Sequence, residues 1–180
     1  LIFLTDAACL LDDDAFERTL YPVAAGEEEA SAGTLRPLPQ QMDSLFVVSQ
    51  AASQIYASLR APEHAPGLPG YNCAIRRDLL VRSRGLEVPA ASGTDYVLAK
   101  ELVRCGARIR QVPHSRVMAS YPTAAGAYLR QQRRWLRNVA LHGWRYGAHR
   151  EFCSSLRTSL LGVAMLLLPF AGLLTGPWLL

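Results

Sequence analysis

Leu1-Ile2-Phe3-Leu4-Thr5-Asp6-Ala7-Ala8 opens the chain as an apolar run that ends on a carboxylate. Five apolar or β-branched residues favour a pleated strand, and a carboxylate closes it. In open α/β sheets the C-terminal end of a strand faces the crevice where ligands bind. There an Asp can ligate a divalent cation that carries a diphosphate. An Asp ending a strand is also an ordinary surface feature, so Asp6 gains meaning only in company with residues further along the chain.

Working outward, a helix is expected from Asp12-Asp13-Asp14, where Asp14-Ala15-Phe16-Glu17 fits a capping box and the carboxylates suit the positive helix end. Residues 24–40 carry Gly and Pro breakers around a short strand at 31–36. Apolar positions at Leu45, Val48, Ala52, Ile55, Tyr56 and Leu59 have helical spacing across 41–60. A breaker-rich link, Pro62 to Gly70, leads into Tyr71-Asn72-Cys73-Ala74-Ile75-Arg76-Arg77. A helix over 96–105 ends at Gly106 as a C′ residue, and 108–112 alternates as a strand. From Ala124 onward the pattern is helical, aromatic and basic. Strands alternating with helices predict an α/β layer domain.

The 180 residues are 50% apolar and 19% charged, which excludes a disordered tail or a collagen-like chain. Eighteen of the nineteen basic residues are Arg, Lys100 being the exception. Eight of the fifteen acids fall in the first thirty residues, with only Arg18 against them, so that opening is net −7 and the remainder +11. With neither an initiator Met nor a charged leader, the opening stretch is not expected to act as a signal peptide. A strand at the first residue and an apolar stretch at the last predict a fragment of a larger protein. Cys9, Cys73, Cys105 and Cys153 have no CxxC spacing and suggest neither zinc nor a disulfide framework. His142 and His149 could share a helix face but have no third ligand.

Between Arg130 and Arg157 there are seven Arg and one acid, interleaved with Trp135, Trp144, Tyr146 and Phe152. Such a segment suits either an anionic membrane surface or the phosphates and bases of a nucleic acid. The next stretch, Ser159 to Leu180, holds no charge in 22 residues. As a helix it would run roughly 33 Å, the thickness of a bilayer's hydrocarbon core. This favours the membrane over a nucleic acid partner, and the positive-inside rule puts the basic flank in the cytoplasm. A buried core helix is the alternative, and Pro169 and Pro177 speak for it.

Two further elements carry chemistry. Gly93-Thr94-Asp95 starts the helix over 96–105. Thr94 or Asp95 could cap it, and Asp95 could equally be a general base that accepts a hydroxyl proton. Gln131-Gln132-Arg133-Arg134-Trp135 is a QxxRW. On a helix Gln131, Arg134 and Trp135 share a face, offering an amide, a planar cation suited to phosphate oxygens and a flat ring for a sugar. A snorkelling Arg beside an interface-anchoring Trp is the plain alternative.

In this order, Asp6, Gly93-Thr94-Asp95, QxxRW and the apolar helix, the chain resembles the membrane-embedded family 2 glycosyltransferases, among them the cellulose, chitin and hyaluronan synthases. Gly70-Tyr71-Asn72-Cys73-Ala74-Ile75-Arg76-Arg77-Asp78 is similar to the family's Gly-x-Asn-x-Ala-x-Arg-Arg segment near the acceptor. The 36 residues from Asp95 to Gln131, Val112-Pro113 and Tyr121-Pro122-Thr123 also match its pattern. The resemblance implies the C-terminal part of a GT-A-type, Rossmann-like α/β domain over 1–135, a basic interfacial helical segment over 136–158 and a transmembrane helix over 159–180. It implies inverting transfer from a nucleotide-sugar, usually a UDP-sugar, to a growing polysaccharide or glycolipid at the cytoplasmic face of the inner (plasma) membrane.

By the same resemblance Asp95 is the general base, and Gln131, Arg134, Trp135 and Asn72 bind substrate. Asp6 would be the first carboxylate of a DxD that holds Mg²⁺ or Mn²⁺. Two positions depart from the pattern: Ala8 stands where the second DxD carboxylate belongs, and Thr94 where the family more often has an acid. A non-catalytic, membrane-anchored homologue that binds a sugar nucleotide or a partner synthase is the alternative these departures leave open.

Overall fold

The computed structural model describes residues 1–64 and 67–175, which divide into two compact units, 1–38 with 58–120, and 39–57 with the described residues from 121 onward. The first unit is a mixed α/β layer. Strands β1 (Ile2–Thr5), β2 (Cys9–Leu11), β3 (Ala30–Pro37), β4 (Asn72–Ile75) and β5 (Ile109–Ala119) form one sheet in the order β1-β4-β3-β5-β2. Among the described residues only β3 and β5 run parallel; the other pairs are antiparallel. Helices α1 (Ala15–Ala24), α3 (Arg77–Ser83) and α4 (Thr94–Arg104) belong to this unit. Its core closes around Cys73, Ile75, Leu79, Leu98, Leu102 and Ile109, with Ile2 and Leu4 packed against it.

The sheet cannot be flat. β1 and β2 stand at opposite ends of the strand order, and four gaps of ~4.8 Å would separate them by about 19 Å. Thr5 and Cys9, however, are joined by Asp6-Ala7-Ala8 alone, and four residue steps reach roughly 14 Å at most. The bend lies where β3 passes β5: Ala32 pairs with Gln111 and Thr34 with Arg116, so Val112–Ser115 stand against the single residue Gly33. Pro113, which has no N–H to give a ladder, sits inside this bulge. Past the bulge, Arg116–Ala119 resume pairing with Thr34–Pro37 and Val117–Ala119 also pair with β2, so β5 continues to Ala119, seven residues beyond the end of the strand expected at 108–112.

A buried polar network braces the bend. Asn72 Oδ1 accepts from Thr19 Oγ1 at 2.9 Å, and Asn72 Nδ2 donates to Ser115 Oγ at 3.0 Å. Ser115 Oγ lies 2.6 Å from Thr19 Oγ1 and donates to the Ala15 carbonyl at 2.8 Å. Ser31 Oγ donates to the Thr19 carbonyl. Two hydroxyl protons, those of Thr19 and Ser115, thus serve three oxygen–oxygen contacts, so one contact is always made without its own proton. Leaving any buried member unsatisfied costs about 1–3 kcal/mol.

Local signals hold with corrections at the helix ends. Asp14 does precede α1, but makes no cap bond; its carboxylate instead accepts from Arg18 Nε at 2.5 Å, one turn on. Helix α4 begins at Thr94 behind Gly93, whose φ of 73° makes Gly93 the N-cap rather than Thr94 or Asp95. Gly106, at φ 85°, comes after the end of α4 in the left-handed conformation expected of C′.

The second unit is helical: a 3-10 turn at Pro39–Gln41, α2 (Leu45–Leu59), α5 (Ala125–Arg145) and α6 (His149–Thr175). The Gln41 side chain brackets Tyr121 like a short ladder, its Nε2 donating to the Tyr121 carbonyl at 3.1 Å and its Oε1 accepting the Tyr121 N–H at 2.8 Å. Ser49 Oγ on α2 donates to the Gly162 carbonyl on α6 at 2.9 Å, and Phe46 and Tyr128 stack 5.9 Å apart. His142 lies near the end of α5 and His149 at the start of α6, so they share no helix. Helix α6 runs through Ser159 unbroken. Among the described residues no helix is long and apolar enough to cross a membrane, and residues 176–180 of the expected span lie outside them.

Candidate active site

Three of the site residues expected from sequence meet at one end of the first unit's sheet. Thr5 on β1 pairs with Asn72 on β4. The strands are antiparallel, so the residue after β1, Asp6, and the residues before β4, Gly70 and Tyr71, share that end. Asp95 stands there too, in the first turn of α4. A methyl group added at Gly70 would lie 3.3 Å from Asp95 Cβ and 3.9 Å from its Oδ2. A side chain at position 70 would crowd the Asp95 Cβ slightly, while the carboxylate would remain at ordinary contact distance. Asp95 is half-buried, and its Oδ1 accepts the Tyr96 N–H at 2.9 Å, so one oxygen is oriented and the other is available to a substrate proton.

Beneath Asp95 lies Cys73, fully buried and paired in the ladder with Leu4 and Ala32. Burial, reinforced by the Asp95 charge, pushes its thiol from 9.0 up to about 12. A folded pKa above the unfolded one means that the protonated thiol favours the fold. The stability is fully present below pH 9 and is lost as pH rises from 9 towards about 12. Two results are expected: the alkaline limb of the stability–pH curve shrinks in Cys73→Ala, and iodoacetamide at pH 8 labels exposed Cys153 well before Cys73. Rapid Cys73 alkylation in the folded protein, detected by mass spectrometry, would contradict this placement.

Asn72 reaches this end of the sheet from within. It has no exposed surface, and its amide is spent on Thr19 and Ser115, so it shapes the site instead of offering a group to a ligand. Gln131, Arg134 and Trp135 lie on α5 in the second unit. Arg134 is exposed, Trp135 is half-buried, and Gln131 Oε1 is buried with no hydrogen-bond partner among the described residues. The neighbouring Gln132 Oε1 accepts from Ser159 Oγ on α6 at 3.4 Å. Nothing in the sequence sets Thr19 and Ser115 apart from other Ser and Thr, and only the fold brings their hydroxyls to Asn72.

The donor set at Asp6 does not fit a resident Mg²⁺ or Mn²⁺. Position 8 is Ala, and Asp6 Oδ1 already accepts the Ala8 N–H at 3.2 Å. Among the described residues no three His, Cys, Asp or Glu side chains converge on a cation position.

The first unit is thus a mixed α/β sheet with two carboxylates at one end, one of them on a helix start beside a glycine. The chain matches the sequence model of Glycosyl transferase family group 2 over residues 5–180, and it belongs to that family. No curated protein matches it. It is therefore a transferase domain that takes a nucleotide-sugar donor and an acceptor.

Proposed function

We propose that this domain transfers a sugar from a UDP-sugar, with inversion, to a growing polysaccharide or glycolipid at the cytoplasmic face of the plasma membrane. The observation that carries the reading is Asp95, held by the Tyr96 N–H and packed beside Gly70 at the end of the sheet that also holds Asp6. Asp95 accepts the proton of the acceptor hydroxyl. That oxygen attacks the anomeric carbon, and the bond to the diphosphate breaks with its electrons leaving on the phosphate oxygen. Arg134 meets the diphosphate with its guanidinium fork, Gln131 holds a hydroxyl, and Trp135 stacks on the acceptor sugar. Asn72 positions the start of β4 from below.

Association with the membrane is supported by α5 and α6, which expose Leu129, Leu141, Trp144 and Leu160 among the Arg residues of 130–157. Apolar and aromatic groups beside guanidinium heads suit the headgroup layer, and residues 159–180 would extend the anchor. Flotation with vesicles containing anionic lipid is expected to retain the protein, and retention should weaken as salt rises, since basic residues near such a surface contribute about 1 kcal/mol each. Equal retention on neutral vesicles would remove the role given to the Arg residues.

The test of function is UDP release in membrane vesicles from a panel of UDP-sugars, beside an Asp95→Asn control. Turnover that depends on Asp95 names the donor and supports the reading. A folded protein that turns over none of them would instead be a homologue that only binds.

A further inference from the structure

We infer that Asp6 is the turn residue of the β1–β2 crossover and that this domain takes its donor diphosphate without a resident divalent cation. The inference rests on the glycosyl-transfer reading only for the identity of the diphosphate; the part about Asp6 stands on the fold.

The crossover Asp6-Ala7-Ala8 has to turn the chain within three residues, from the edge strand β1 to β2 on the far side of the bend. Two hydrogen bonds make that turn, and both end on Asp6. Its carbonyl accepts the Cys9 N–H at 3.0 Å, and its carboxylate Oδ1 accepts the Ala8 N–H at 3.2 Å. The second is the side-chain mimic of a backbone turn at which Asp and Asn excel. An apolar side chain at position 6 would leave the Ala8 N–H without this acceptor.

The same geometry leaves little for a cation. Mg²⁺ at a phosphate-transfer site is held by one or two carboxylates beside the substrate phosphates and demands a near-octahedral oxygen shell. Here the second carboxylate is replaced by a methyl group, and the first has one of its two oxygens engaged. Asp14 is paired with Arg18, and Asp95, at the same end of the sheet, has one oxygen on the Tyr96 N–H. Among the described residues no third acid, imidazole or thiol joins them around a cation position. Outside the described residues, Ala65, Pro66 and 176–180 carry no carboxylate, imidazole or thiol. The charge of the diphosphate therefore falls to guanidinium groups, which the chain has in quantity and whose planar fork matches phosphate oxygens.

The experiment is a Mn²⁺ titration of the full chain monitored by the EPR signal of the free ion, on wild type and Ala8→Asp, together with melting of Asp6→Asn and Asp6→Ala. Ala8 is exposed, so the new carboxylate fits without repacking. Wild type should leave the Mn²⁺ signal intact at micromolar concentrations, and Ala8→Asp should bind at least about tenfold more tightly. Asp6→Asn, whose amide oxygen can accept the same N–H, should melt with wild type, while Asp6→Ala melts several degrees lower. UDP release should persist in EDTA.

Micromolar Mn²⁺ binding by wild type that disappears in Asp6→Asn would overturn the inference. So would turnover abolished by EDTA, or equal melting of the Asn and Ala variants. Absence of turnover with every donor would sink the glycosyl-transfer reading alone, because the Mn²⁺ and melting results do not depend on it.

Discussion

Asp95→Asn is expected to lower glycosyl transfer by about 10²–10⁴-fold, the contribution of a positioned general base, while the protein melts as wild type does. The substitution is nearly isosteric. The amide oxygen can still accept the Tyr96 N–H that the carboxylate accepts now at 2.9 Å. What is lost is the ability to take a proton from the attacking hydroxyl. The fall should therefore appear in kcat, with the donor KM close to its original value, since the diphosphate and nucleotide are held elsewhere. A drop confined to KM would make Asp95 a binding group, and an unchanged kcat would end its role in the chemistry. Loss of the Asp95 charge also removes one of the two causes that push the Cys73 thiol upward, so the Cys73 share of the alkaline stability loss should shrink in the same variant.

Gly33→Ala is the substitution with the largest expected effect on stability. A Cβ at position 33 would lie 2.0 Å from Asn72 Nδ2, 2.7 Å from Asn72 Cγ and 2.8 Å from the Ser115 carbonyl oxygen. The first two atoms belong to an amide that is itself fixed by Thr19 and Ser115, and the third is backbone, so none can swing aside. Overpacking alone costs about 1–3 kcal/mol and at times more, and each displaced buried partner adds about 1–3 kcal/mol. A loss of more than ~3 kcal/mol is expected from these terms, enough to unfold a domain of ordinary marginal stability. Chemical denaturation measures it directly. A loss under about 1 kcal/mol would mean that the bend relaxes around the methyl group and that the polar network does not brace it.

Elements whose evidence is local were legible in the sequence. β1 is marked by its continuous apolar run, α2 by the helical spacing of its apolar residues, and α4 by Gly106, which ends it as its position promised. The three-residue β2 and seven-residue α3 were not legible, because elements that short hold no full period of the hydrophobic pattern. Asp14 shows the limit of motif reading: the capping-box letters are present, yet a salt bridge to Arg18 outcompetes the cap. Asp6 and Asp95 could be located as candidates, since a carboxylate at a strand end and one at a helix start each have a chemical reason to be there. That they face the same end of the sheet depends on the antiparallel β1–β4 pairing across a separation of some seventy residues, which no local pattern encodes. The burial of Asn72 was equally hidden. A polar residue between Tyr71 and Cys73 looks available to a ligand until its two partners, Thr19 on α1 and Ser115 on β5, close on it over the notch at Gly33.

The parallel pairing of β3 with β5 has a consequence for how the chain is made. Ile109 comes 79 residues after its partner Ala30, and β2 on the other side of β5 waits for the same strand. At a synthesis rate of about 5–20 residues per second, β3 and β2 emerge from the ribosome roughly four seconds or more before the strand that joins them. Through that interval each presents a bare row of backbone donors and acceptors to whatever else is nearby, the situation in which strands pair wrongly. Both waiting strands are poor templates for such errors: β2 is three residues long, and β3 carries Gly33 at its centre and Pro37 at its end. The glycine that lets Asn72 cross the finished sheet thus also keeps the nascent strand from a premature partner.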